Sequence, residues 1–184
     1  MLAALQGESI FIKALGGGGF WVASEQDKDI RMVFSGPAAL GFLQIGGALT
    51  PSLKIFGFTG GVFAPSVNAK TENLKIETKY SFRTMHDFGI GLGYYLKSGL
   101  SLSLGLSHST SYYKLEIYGK DGSTYTQEGW GSMLMLGQEF PISARTSFGL
   151  SAVGYYGRQR DGGSFAGVPI ENFYAGLMMS LMYD

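Results

Sequence analysis

Residues 100–107 alternate without a break: leucine stands at 100, 102, 104 and 106, and serine or glycine stands between. A helix would scatter those leucines around its axis, whereas an extended strand sets them all on one face. Just upstream, Phe88, Ile90, Leu92, Tyr94 and Leu96 alternate with Gly89, Gly91 and Gly93 in the same way. Lys97-Ser98-Gly99 between the two runs reads as a short turn, so the pair predicts a hairpin with one apolar face and one face of small residues. The same reading, with less regular alternation, predicts six more strands at about 10–23, 38–49, 53–63, 130–140, 146–156 and 172–183. No segment reads as a helix.

The connections between these strands alternate in length. Short turns fall at 50–52, 97–99 and 141–144, and longer polar connections at 24–36, 64–79, 114–128 and 157–169. An up-and-down barrel of eight strands has seven connections, three at the end that holds the termini and four at the other. A β-sandwich also gives regular strands, but nothing in it requires long and short connections to alternate. Runs such as 130–140 also fit the roughly 9–11 residues a tilted strand needs to cross a bilayer. The expected fold is therefore all-β: an eight-stranded antiparallel up-and-down transmembrane β-barrel. It forms a single domain over residues 1–184, with residues 1–8 as a short N-terminal extension.

Composition sharpens this picture. Only 15% of the residues are charged, and 14 Lys+Arg balance 14 Asp+Glu, so no basic surplus exists to attract nucleic acid. Glycine, at 29 residues, is about twice its usual share of ~7%. Aromatics reach 14%. Such a chain suits a barrel whose outside faces lipid and whose narrow inside takes small residues. The interior positions read as mainly glycine and serine, which leaves room for a slender cavity. The absence of cysteine excludes disulfides and thiolate metal sites, and no cofactor is expected. The longest uncharged run, 33–53, contains Pro37 and Pro51 and alternates in its middle, which argues against a membrane helix. Residues 1–5 are read as a start codon placed before a mature chain rather than as the end of an export signal.

Trp130, Phe140, Phe148, Tyr156, Phe173 and Tyr183 lie near strand ends on the apolar parity and are expected to form an aromatic girdle at the two water interfaces. The run Phe11-Ile12-Lys13-Ala14-Leu15-Gly16-Gly17-Gly18 resembles small bacterial outer-membrane β-barrels of the OmpX-like kind. So do the turn Gly47-Ala48-Leu49-Thr50-Pro51-Ser52-Leu53 and Leu136-Gly137-Gln138-Glu139-Phe140. The resemblance implies residence in the bacterial outer membrane, short periplasmic turns, long extracellular loops and contact with outer-membrane lipid and lipopolysaccharide. The last strand, from Tyr174 to Tyr183, resembles the signal read by the barrel-assembly machinery, with the departure that Asp184 follows the final aromatic. The chain is expected to be a monomer with a structural or surface-interaction role.

Few residues suggest chemistry. His108 continues the lipid-facing parity of Leu100–Leu106 and is followed by Ser109, Thr110 and Ser111, with Glu116 beyond. This resembles the rim arrangement of outer-membrane lipid A deacylases, in which a histidine activates a serine and an acid orients the histidine. It supplies the alternative reading of a lipid-modifying hydrolase, against the expectation of no enzymatic activity. His86 and Asp87, near His108 across a strand pair, are a further metal-binding candidate, although no metal site is expected. Gly16–Gly19 lacks the following Lys-Ser/Thr and helix of a phosphate loop. Gly19-Phe20-Trp21 matches the short Gly-x-Trp of lipocalins, which gives a second alternative, a small barrel around an apolar ligand. Lys13, Lys54, Glu139 and Arg145 are assigned to the interior near the short-turn end. There a buried charge cluster is expected to close the lumen, because unpaired buried charges are costly.

Overall fold

The computed structural model describes residues 10–27, 30–71, 78–80, 82–114, 124–161 and 169–184. Ten strands carry the fold: β1 (Ile10–Asp27), β2 (Ile30–Ala48), β3 (Leu53–Ala64), β4 (Val67–Thr71), β5 (Thr78–Tyr80), β6 (Phe82–Tyr95), β7 (Leu100–Lys114), β8 (Thr124–Pro141), β9 (Thr146–Asp161) and β10 (Pro169–Tyr183). Each long strand pairs antiparallel with its neighbours, and β1 pairs with both β2 and β10, which closes the sheet. The result is an eight-stranded barrel in which β4 and β5 continue β3 and β6. Val67 pairs with Tyr80 in the register that already joins Ala64 to Arg83. On the β2 side the continuation slips by one residue: Ala39 faces Phe63, but Ser35 faces Asn68. A bulge of this kind is expected at Pro37, which has no N–H to give to a ladder.

Following paired residues around the barrel shows how far the strands are staggered. Leu15 leads through Phe42, Gly60, Asp87, Ser109, Gly129, Gln159 and Ile170 back to Glu25 on the same strand, ten residues higher. A stagger of this size on eight strands tilts them by about 40° to the barrel axis.

The strands run further than the sequence pattern suggests. The expected connection 24–36 is mostly strand, since β1 reaches Asp27 and β2 resumes at Ile30. The expected connections 64–79, 114–128 and 157–169 likewise contain β4, most of β5 and the ends of β7, β8 and β9. The reason is that the ladder continues where outward side chains are polar, as at Ser24, Gln26, Glu128, Arg158 and Glu171. Hydropathy alternation fades there, but the backbone still pairs. Three short turns stand where expected, and Gly99, at φ 85°, supplies the left-handed residue of the Lys97–Gly99 turn.

The interior is not mainly glycine and serine. Phe11, Trp21, Phe34, Phe42, Phe56, Phe58, Tyr155 and Tyr174 all point inward and are buried. Inward glycines complement them. A Cβ at Gly105 would lie 2.8 Å from the Phe58 ring, and one at Gly91 would lie 2.5 Å from the Phe56 ring. The outside carries the reverse pattern, with Leu100, Leu102, Leu104, Leu106, Ile90 and Leu92 all exposed.

Candidate functional site

The lumen is built in layers of polar side chains separated by aromatic ones. At the short-turn end Lys13, on β1, meets Glu139, on β8, at 2.5 Å, and both are buried. Beside them the Lys54 ammonium donates to both carboxylate oxygens of Asp184 at 2.7 and 2.9 Å. It also lies 4.7 Å from the Phe11 ring and 5.0 Å from the Tyr95 ring. Arg145 stands apart from this group. It is exposed in the β8–β9 turn and donates to the Tyr183 hydroxyl at 3.5 Å. The acid opposite Lys54 is thus Asp184, which strand parity does not reveal because it follows the last strand.

Above this layer lie Phe56, Phe58, Phe42, Met133 and Met135, all buried. The next polar layer centres on Asp87. Ser107 donates to it at 3.3 Å and Tyr174 at 3.4 Å, Ser109 also donates to it, and Tyr155 bonds to Ser109. Tyr155 and Tyr174 stack at 4.6 Å with their rings 3° apart. A third layer holds Arg83, which donates to Gln127 at 2.6 Å and to Asn172 at 3.1 Å and sits 4.6 Å from the Trp21 ring. Gln159 accepts from Ser111 at 2.7 Å and from Asn172 at 2.9 Å, which knits β7, β9 and β10 together.

Sequence reading missed the two upper layers. Arg83 lies above the stretch in which apolar alternation is visible, and Asp87 was grouped with His86. Parity held the missing signal: Asp87 shares its face with Gly89, Gly91 and Gly93, and Ser107, Ser109 and Ser111 continue the inward face of Ser101 and Ser103.

The histidines face the other way. His108 packs edge-on against Trp130 at 5.3 Å and pairs across the sheet with both Trp130 and Phe88. His86 is exposed two positions above Phe88, with its Nε2 3.3 Å from the Thr59 hydroxyl. Asp87 and Ser109 point into the lumen, away from His86 and His108, whereas Thr110 faces outward two residues beyond His108 and pairs across the sheet with the exposed Glu128. No group of three potential metal ligands forms among the described residues. Glu116 lies outside the described residues.

The aromatic residues define two levels on the outside. At the long-loop end Tyr156 pairs with Phe173 and lies diagonally from Trp130, which shares a register row with His108 and Phe88, while Phe140 pairs with Phe148, next to Tyr183, at the short-turn end. Phe148 is half-buried; the others are exposed. Trp130 and Phe140 stand ten residues apart on β8. At ~3.3 Å per residue and about 40° of tilt this separates the levels by about 25 Å, the height of the lipid-facing band of outer-membrane barrels. Between them the wall is almost wholly apolar.

No family model matches the chain. No curated protein matches it either. Solved structures do. The outer membrane protein OprG from Pseudomonas aeruginosa superposes with a TM-score of 0.56 at 13% identity, over 96% of each chain. The outer membrane protease OmpT from Escherichia coli gives 0.50 at 10% identity, over 100% of this chain and 98% of that one. The fold is that of a small outer-membrane β-barrel. With the barrel so placed, the short-turn end is periplasmic, and the layers at Asp87 and Arg83 lie toward the extracellular side. The apolar wall between the two aromatic levels makes this an integral membrane protein of that type.

Proposed function

We propose that the protein is a non-conducting, non-enzymatic, monomeric barrel of the bacterial outer membrane that acts through its outer wall and extracellular ends. One observation carries this reading: the filled lumen, in which the Lys13–Glu139 and Lys54–Asp184 pairs, an aromatic layer, the Asp87 cluster and the Arg83 cluster follow one another along the axis. Eight strands leave an interior only about wide enough for side chains, so stacked large side chains leave no continuous path for ions. The large aromatic and methionine side chains buried in the lumen likewise favour this reading over a small barrel around an apolar ligand. On the outer wall the residue two positions beyond His108 on the same face is Thr110 and not the serine of the deacylases' His-x-Ser pattern, a departure that favours the non-enzymatic reading.

Reconstitution into planar bilayers tests the proposal. The parent protein should give no defined single-channel steps, and a variant with Phe42, Phe56 and Phe58 all changed to alanine should show them or a raised leak. Stable unitary conductance from the parent would overturn the reading. Acyl release from lipid A by the parent, lost in His108→Ala, would overturn the non-enzymatic part.

A further inference from the structure

The apolar outer wall is interrupted on the β2–β7 side. Across β2, β3, β6 and β7 the bulky apolar side chains give way to an open hollow of about 790 Å³. Its floor is the backbone around Gly41, Gly60 and Gly61. Gly41 faces outward, and a Cβ there would meet its nearest neighbour, the Leu15 carbonyl oxygen, only at 4.0 Å, so packing does not demand a glycine at this position. A glycine in a strand interior costs stability. Here its effect is to keep the hollow open.

The upper part of the hollow is polar. Thr84, His86 and Thr110 line it, and the Thr59 hydroxyl holds His86 through Nε2 at 3.3 Å, which leaves Nδ1 as the ring's remaining polar atom. Phe63 and Tyr112 stand on its margins and are 47% and 44% exposed. Level matters as much as chemistry. His86 is two residues above Phe88, and Thr110 is two residues above His108, so the polar part begins where the upper aromatic level ends. It is therefore continuous with the membrane surface, at the depth of headgroups, with the apolar belt beneath it. None of the residues lining it is Lys, Arg, Asp or Glu. A phosphate would find no cation there. Hydroxyls and amides of an uncharged ring would find two threonine hydroxyls and an imidazole, with aromatic rings for the ring's apolar faces.

We propose that this hollow binds the glycosyl headgroup of an outer-leaflet glycolipid. The inference rests on the outer-membrane reading above. It makes the surface interaction a specific contact with lipid-linked sugar on the β2–β7 side.

The test is native mass spectrometry of the delipidated barrel titrated with a neutral glycosyl diacylglycerol and, separately, with phosphatidylethanolamine. One glycolipid should be retained per barrel, about tenfold more tightly than the phospholipid. Gly41→Phe fills the hollow from an open, extended position and should abolish that preference while the heat-modifiable gel shift of the folded barrel stays. Thr84→Val/Thr110→Val keeps the shape and removes two hydroxyls, and should weaken glycolipid retention by about fivefold or more without touching phospholipid retention. This second variant decides the matter should Gly41→Phe fail to fold. Equal retention of both lipids by the parent, or undiminished glycolipid preference in the folded variants, would overturn the inference. Either result in a barrel that remains heat-modifiable and non-conducting would leave the proposed function standing.

Discussion

Lys13 is 2% exposed and Glu139 is 6% exposed, so each charge has lost most of its water and depends on the other. Removing one partner of a buried pair leaves an uncompensated charge, at a cost of about 3–5 kcal/mol. Glu139→Ala should therefore lower the urea midpoint of the barrel by that equivalent, followed by the boiled-versus-unboiled gel shift. Glu139→Gln keeps an oxygen for the Lys13 ammonium and for Ser147 and should cost clearly less. An alanine variant as stable as the parent would show that the pair reaches water. Strand parity made Lys13, Lys54 and Glu139 readable as inward residues, because each alternates with an apolar outward neighbour. It did not make Arg145 readable. A residue in a turn no longer obeys the period of two, and Arg145 swings outward to Tyr183.

At the level of strands, β6 and β7 were the most legible because their two faces differ in size as well as in polarity. Leu104 stands outward near the middle of the apolar belt, 59% exposed. Arginine at such a depth costs about 2–4 kcal/mol. Leu104→Arg should reduce the folded fraction in liposomes by a matching shift in denaturant midpoint, and a variant that folds as well as the parent would place this face away from lipid. The inward faces of β1, β2 and β3 were less legible, since Phe11, Phe42, Phe56 and Phe58 lie on the lumen side of strands whose outer sides are also apolar. Glycine held the missing information. Gly105 faces inward beside Phe58, so Gly105→Leu should overpack the lumen by about 1–3 kcal/mol. Combining it with Phe58→Ala should recover part of that loss. Additive effects in this double-mutant cycle would show that the two positions are not complementary.

The whole barrel combines a belt of fixed height with walls that rise above it. The alternation of connection lengths revealed the number of strands and the direction of the barrel. It could not reveal the wall above the upper aromatic level, because there both faces of the sheet meet water or polar neighbours and the hydropathy signal vanishes while the ladder persists. Stability in a bilayer should follow the belt alone. With aromatic levels about 25 Å apart, the match is best in a bilayer of similar hydrocarbon thickness. Thicker bilayers cost fractions of a kcal/mol per Å of mismatch. Urea unfolding in phosphatidylcholine vesicles of increasing acyl length should thus give a maximum midpoint near a hydrocarbon core of about 25 Å and a decline beyond about 30 Å. Replacing Trp130 and Tyr156 by leucine should flatten that dependence, since the rings that anchor the upper level would be gone while the apolar area stays. A midpoint that keeps rising with thickness would mean that the polar wall above Phe88 and Trp130 enters the hydrocarbon, and the two aromatic levels would not be the boundaries of the membrane.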